Sequence, residues 1–290
     1  MNRVAGRIIA FTFPGAPAFF SLPLHFPVSI FPSGLINRMH EGKRDMAKLK
    51  EMTILVRGGG DLATGVAWRL HHCGFKVLIT EVPQPTAVRR KVSFCEAVYE
   101  ERIEVEGVTA SLIESARAAG GVWQQGQVPV LVDPACDCRK TIKPSALIDA
   151  IIAKKNLGTT MSDAPLVIAL GPGFVAGVDA HFVVETNRGH RLGRLITSGK
   201  AQADTGIPGV VLGHAADRVL RAQADGHWQN HLDIGDTVRK GDPVGAIDGT
   251  PVSAPIDGII RGLIHTGIPV GKGLKIGDID PRPDRENCFT

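Results

Sequence analysis

The sequence predicts an α/β chain: a parallel-sheet unit that gives way, near residue 176, to a β-rich C-terminal part. Three observations carry this. Thr53–Val82 reads as strand, glycine turn, helix and second strand. A further apolar run, Leu166–Leu170, again leads straight into glycines, Gly171 and Gly173. Past residue 230 the apolar runs become short and glycine-punctuated, and they recur 32 residues apart. Hydrophobic residues make up 43% of the 290 and charged residues 21%, as in an ordinary globular protein. A net charge of +4, with no basic cluster interleaved with aromatics, argues against nucleic acid as partner. Five cysteines without framework spacing point to a reducing, cytoplasmic setting.

Residues 1–50 differ from the rest. Ile8–Asn37 contains no Lys, Arg, Asp or Glu and holds six of the eleven phenylalanines. Pro14, Pro17, Pro23, Pro27 and Pro32 break any helix of the ~20 residues that a membrane span needs. The expectation is a poorly ordered extension or an upstream start, with Met46 or Met52 as the natural beginning, and no membrane association.

The unit at Thr53–Val82 is the most specific signal. Gly58, Gly60 and Ala63 fit G-x-G-x-x-A, and Glu81 closes the second strand about 20 residues on. Glycines let a ligand approach the main chain, and the unpaired N–H groups of the following helix attract anions. This is the pattern of a Rossmann-like, dinucleotide-type fold, expected over residues 51–175. The alternative is a glycine turn that only packs helix on strand. Asp61, an acid in a phosphate-type turn, is expected to cap the helix. Arg89, Arg90 and Lys91 follow the second strand, where they would hold a phosphate or form a solvated face. Cys95 beside these cations is either a reactive thiolate or a buried inert thiol.

Next, Thr109–Ala119 is expected as a short amphipathic helix ended by Gly120 and Gly121, Val128–Val132 as a strand, and Pro144–Asn156 as a helix with Leu147, Ile148, Ile151 and Ile152 on one face. Cys136 and Cys138, one residue apart, do not complete a zinc site, and no metal site is expected. His181–Glu185 is a β-type run, followed by Asn187, Arg188 and His190 in a polar turn: a binding patch, or a plain hairpin. Residues 176–230 are expected to form a β-rich connection.

The repeat aligns Gly235–Asp248 with Gly267–Asp280. With Ala254–Pro255 and Gly258 between the copies, residues 231–281 resemble the biotinyl/lipoyl half-barrel. That family's carrier lysine belongs at the hairpin, where this sequence has Asp248-Gly249-Thr250-Pro251. The resemblance implies the half-barrel and not the swinging-arm role. Residues 282–290 form a tail.

Five segments together, GGGDLATG (58–65), ALGPGFVAG (169–177), ETNRGHRLGR (185–194), TGIPG (205–209) and KIGDIDPR (275–282), resemble the YqeB-type proteins of the selenium-dependent molybdenum hydroxylase system, related to the XdhC/CoxI maturation proteins. Members continue past the position of Thr290 with a basic, glycine-rich segment. The resemblance implies an accessory role in which a nucleotide-type ligand, a molybdenum cofactor dinucleotide or NAD(P), is bound for a molybdenum hydroxylase partner; a homo-oligomer is compatible with it. Gly58, Gly59, Gly60, Asp61, Thr64 and Glu81 would contact phosphate or ribose. Gly171, Gly173, Asn187, Arg188 and His190 would form the opposite wall, and Cys95 is the weak candidate for chemistry. An NAD(P)-dependent oxidoreductase and a non-enzymatic interaction module are the alternatives.

Overall fold

The computed structural model describes residues 48–290. The expectation for the N-terminal extension falls almost wholly outside them.

Ten strands belong to the first unit: β1 (Thr53–Arg57), β2 (Lys76–Glu81), β3 (Arg102–Val105), β4 (Val108–Ile113), β5 (Val128–Val132), β6 (Ala146–Asp149), β7 (Val167–Leu170), β8 (Val175–Ala176), β9 (Phe182–Val184) and β10 (Leu195–Ile196). All but β8 form one sheet in the order β10-β9-β7-β6-β1-β2-β5-β4-β3. Its pairs are parallel except at the two edges, β3–β4 and β9–β10. Strand order reverses between β1 and β6, so the loops after these two strands flank the switch point where open sheets take ligands.

Period-2 alternation explains the two faces. Ile54, Val56, Val77 and Ile79 point to one side, against Ala63 and Ala67 of helix α1 (Asp61–His72). Leu55, Leu78, Leu131 and Leu147 point to the other, against Trp123, Cys136 and Cys138. Small Ala63 and Ala67, one turn apart, let α1 lie close to the strands. Leu62 instead stays 47% exposed.

Two expected helices are strands. Val108–Ile113 pairs with β5, and it joins β3 through a tight turn in which Glu106 and Gly107 both have positive φ, a primed hairpin geometry. Helix formation begins only later, as α3 (Ala119–Gln124), the short α2 (Ala97–Glu100) having come before; α4 (Arg139–Ile142) follows. Ala146–Asp149 pairs with both β1 and β7 and is buried at every position. Its apolar residues suit a helix face, but a strand buried on both faces needs no alternation, and that ambiguity cannot be resolved by period.

The C-terminal part is built from β11 (Gly199–Lys200), which pairs with β8, and from β12 (Val219–Arg221), β13 (Gly226–Asn230), β14 (Thr237–Val238), β15 (Pro243–Ile247), β16 (Thr250–Ser253), β17 (Gly258–Leu263), β18 (Pro269–Val270) and β19 (Lys275–Asp280). These last eight form two four-stranded sheets, β12-β19-β17-β14 and β16-β15-β13-β18, around Trp228, Ile260, Leu263, Ile264, Ile276 and Ile279. Moving 32 residues along the chain maps β12 to β16, β13 to β17, β14 to β18 and β15 to β19. Each sheet therefore holds two strands from each copy. The hydrogen bonds obey the same operation: Lys240 N–H donates to Asp257 and Lys272 N–H to Asp225, both at 2.7 Å. The repeat is longer than Gly235–Asp248 suggests, because its first half matches only at Ala222/Ala254, Asp225/Asp257 and Gly226/Gly258.

The two units are joined by the segment after β2. Val88 carbonyl accepts from Leu263 N–H at 2.7 Å, and Arg90 Nε donates to Leu263 carbonyl at 3.1 Å.

Candidate functional site

The glycine turn sits where β1 ends and α1 begins, and its three glycines do three different things. Gly58 has φ +89°, and a Cβ there would lie 2.9 Å from the Ile151 backbone. Gly59 is against Cys95: a Cβ would come 2.9 Å from the Cys95 nitrogen, whose N–H donates to Gly59 carbonyl. Gly60 alone opens on free space. It is the N-cap of α1, with extended backbone, and Asp61 is the first helical residue rather than the cap. The expected Asp61 cap is thus displaced by one residue, and its exposed carboxylate accepts only from the neighbouring Leu62 N–H. Thr64 is buried; its hydroxyl donates to Gly59 carbonyl and accepts from Phe94 N–H at 2.8 Å, a clamp on the turn from inside.

Glu81 turns its carboxylate back onto the turn, accepting from Gly59 N–H at 2.7 Å and Val82 N–H at 2.8 Å. Burial pushes its carboxyl up, and the two backbone donors only partly offset that. The same burial, reinforced by Glu81, Glu96 and Asp61, pushes the Cys95 thiol well up. Of the two readings of Cys95, the buried thiol is the one that fits its 1% exposure. Arg90 points away, to Glu96 at 3.1 Å and to Asp233; Lys91 reaches Asp233 at 3.4 Å; Arg89 donates to the carbonyls of Asn287 and Thr290.

The second turn is tightly packed where its glycines lack side chains. A Cβ on Gly171 would lie 2.8 Å from Thr186 Oγ1, and one on Gly173 would lie 2.6 Å from the Lys155 backbone. Because β6 separates β1 from β7, the loop after β6 runs between the two turns, touching Gly58 at Ile151 and Gly173 at Lys155. It fills the crevice that the two turns were expected to wall. Its base is a buried network: Arg57 reaches Asp149 at 3.4 Å and the Thr159 hydroxyl, which donates to Asp149 at 2.5 Å. Beside it, Cys136 is pulled down by a hydrogen bond from Cys138, against burial, and Cys138 is pushed up. Asn187, Arg188 and His190 are exposed in the β9–β10 loop, with Asn187 Nδ2 donating to Gln202 at 2.6 Å. A cavity of about 380 Å³ beside the second turn is lined by Lys154, Pro172, Gly173, Lys200 and Asp204.

Gly60 opens away from the filled crevice, and Asp61 next to it lies within the electrostatic reach of Arg89. Arg89 is also within reach of Arg261 and Asp278 of the C-terminal unit, which group with Arg218 and Lys275; the sequence did not single this group out because its members are up to 60 residues apart, on β17, on β19 and just before β12. Arg218 Nη1 stands 3.7 Å and Arg261 Nε 3.9 Å from Asp278 Oδ1, while Lys275 Nζ reaches Oδ2 at 2.6 Å. Among the described residues one group has metal-ligand closeness, Glu96, Glu100 and His265. Arg90 already neutralises Glu96, and His265 stacks on Tyr99 at 4.1 Å, so this group is an ion-pair seam between the units. No described helix is long and apolar enough to cross a membrane.

No family model matches the chain. Among solved structures, TcdA (CsdL) overlays with a TM-score of 0.29 at 16% identity, covering 50% of this chain and 58% of that one. An aspartoacylase family protein from Mesorhizobium loti overlays with a TM-score of 0.26 at 10% identity, covering 80% and 86%. Overlays this loose decide nothing about chemistry. In sequence, the chain is 50% identical over 229 residues to the "Uncharacterized protein YqeB" of Escherichia coli (strain K12), covering 79% of this chain and 42% of that protein. The chain is accordingly YqeB-like in sequence and spans about two fifths of the length of that relative.

Proposed function

We propose that the chain is an accessory protein of selenium-dependent molybdenum hydroxylases that binds a nucleotide-type cofactor, a molybdenum cofactor dinucleotide before NAD(P), where α1 begins. The observation that carries this is Gly60: an N-cap with open space in front of it, followed by the first N–H groups of a twelve-residue helix. Gly60 and Asp61 would meet the ligand directly, while Gly58, Gly59, Thr64 and Glu81 hold the turn in shape. Glu81 would exchange its bond to Gly59 N–H for a ribose hydroxyl. Arg188, Asn187 and His190 would act from the exposed loop, not from a wall facing the turn. The likeness to YqeB supports the family part of the reading, and the maturation role for a hydroxylase in the cytoplasm is what that family resemblance implies.

The C-terminal unit, in this reading, is a biotinyl/lipoyl-type half-barrel without a carrier lysine, supported by its two strand-exchanging copies and by the Asp248–Gly249 hairpin, where both residues have positive φ. A second reading, an interaction module, is favoured by one observation: Ile207, Val210 and Leu212 are each close to 70% exposed on a single loop.

Native mass spectrometry of the protein purified from a molybdenum- and selenium-replete host tests the proposal. A co-purifying dinucleotide containing molybdopterin is the expected result. A chain that is empty in every preparation overturns it, and a co-purifying NAD(P) transfers the site to the oxidoreductase reading.

A further inference from the structure

The two copies in the C-terminal unit share a backbone but not their charges. Arg218, Arg261, Lys275 and Asp278 belong to positions whose equivalents, 32 residues away, are Thr250, Gln229, Pro243 and Ala246. The uncharged set shows that this backbone does not require the charged one. The charged set lies on the side that meets the glycine-turn unit, next to Val88 and Arg89.

Its partners do not balance. Arg218 is 3% exposed, yet its Nε and Nη1 have no hydrogen-bond partner, and its Nη2 reaches only the Gly209 carbonyl at 3.4 Å. Asp278 is 2% exposed, and its Oδ1 makes no hydrogen bond and only the long ion pairs with Arg218 Nη1 and Arg261 Nε. Arg89 Nε is buried without a partner. Asp280, the next acid, is taken up by Arg282 at 2.5 and 2.9 Å. Five cations, Arg89, Arg218, Arg261, Lys275 and Arg282, thus face two buried acids, Asp278 and Asp280, with Asp61 acting on Arg89 from α1. Burying cations without a counter-charge costs free energy that water alone does not return, since water satisfies donors but not charge. Burial pushes both Arg89 and Arg218 down, and Arg261 adds to this in each case, the mark of cations crowded together. Asp61, on the first turn of α1, lies within the electrostatic reach of Arg89.

We propose that this cluster of Arg89, Arg218, Arg261 and Lys275 is an oxyanion site that takes a diphosphate group. Guanidinium forks match phosphate oxygens in shape and charge. The proposal rests on the nucleotide reading only for what the diphosphate is attached to. It adds cationic partners from the barrel to the N–H groups at the start of α1, which carry no full positive charge and stand next to an acid, Asp61.

Inorganic pyrophosphate, titrated calorimetrically into the full chain at fixed ionic strength, tests this apart from any nucleotide. The expected result is saturable binding that weakens about tenfold or more in Arg261→Gln and in Lys275→Met, the loss of one charge-assisted hydrogen bond. Gln229→Ala, at the equivalent position of the other copy, leaves it unchanged. Arg261 is the more exposed of the two arginines facing Asp278, so the Gln variant answers even where Arg218→Gln does not fold. Absence of pyrophosphate binding, or equal binding in wild type and Arg261→Gln, overturns the proposal. A chain that binds pyrophosphate in this way but carries no nucleotide from its host sinks the nucleotide reading and leaves the site standing.

Discussion

The two copies of the C-terminal repeat teach what the fold needs and what it does not. Both need a glycine at the start of the central strand: Gly226 and Gly258 each have φ +153°. Both need an Asp just before it to catch a backbone N–H from the other copy. Neither needs charge in its interior, since the first copy places Gln229, Pro243 and Ala246 where the second places Arg261, Lys275 and Asp278. What the copies share is structural chemistry; what only one has calls for another explanation.

The largest expected effect comes from erasing the difference at its centre. Asp278→Ala makes the second copy resemble the first but strands Arg218, Arg261 and Lys275. Removing one partner from a buried ionic group costs roughly 3–5 kcal/mol. Chemical denaturation checks this, and added pyrophosphate restores part of the loss if the cations lack only an anion. A cost under about 1 kcal/mol would mean that the cluster is solvated. Next in size is Gly258→Ala. Its Cβ would run into the Asp280 carbonyl, a backbone atom, at a φ that L residues avoid, and the expected cost is about 2–4 kcal/mol. Gly226→Ala meets the Asp248 carboxylate and an Ile247 methyl, which can move, and is expected to cost less. Equal costs would show that the copies are no more different in packing than in backbone.

The pH dependence sharpens the same contrast. Burial raises the Asp278 carboxyl, but Lys275, Arg261 and Arg218 outweigh it and hold the group below its ordinary value. A depressed folded-state pKa gives stability that is present above the unfolded value, near 3.9, and lost as pH falls through the folded one. Wild type should therefore lose stability on acidification below about pH 4, and Asp278→Ala should show a flatter acid limb. Identical acid limbs would place the titrating group elsewhere.

How much of this was legible from sequence follows the same line between local and distant. The β1–turn–α1–β2 unit was readable because glycine, helix period and strand run are adjacent in the chain. The helix expected at Pro144–Asn156 failed because β6 is buried on both faces, which only pairing with β1 and β7 reveals. The helix expected at Thr109–Ala119 failed because the turn before it is Glu106–Gly107, without the Asn or Asp that usually marks such a hairpin. The glycines at 171 and 173 looked like ligand contacts; Gly171 makes a close approach to Thr186, while Gly173 approaches Lys155 and also borders the cavity shared with Lys154 and Lys200. The cation cluster was invisible because nothing local marks Arg218, Arg261 and Lys275 as neighbours; the repeat held the clue in its mismatches, whereas attention goes to its matches.

The glycine turn offers a smaller version of the comparison. Gly59→Ala puts a methyl against the Cys95 backbone, and a loss of about 1–3 kcal/mol is expected. Gly60→Ala meets open space with φ −64°, so stability should change by less than about 1 kcal/mol while ligand approach is obstructed. A Gly60→Ala as damaging as Gly59→Ala would show that the opening is not there.

The smallest effect is a rate. Cys73 is exposed at the end of α1, whereas Cys95 and Cys288 are each 1% exposed and lie where the charged copy meets the glycine-turn unit, Cys288 with its thiol toward the Ile260 carbonyl. Burial raises all three thiols, most strongly Cys95. A thiol reagent at neutral pH should modify Cys73 first, and peptide mass mapping should find Cys95 and Cys288 unmodified until the units part. Protection at these two sites should lengthen when pyrophosphate fills the cluster, because a ligand that binds only the closed arrangement suppresses its opening. If Cys95 or Cys288 reacts as fast as Cys73, the seam beside the charged copy is open in solution, and the crowding of its cations is relieved by motion rather than by an anion.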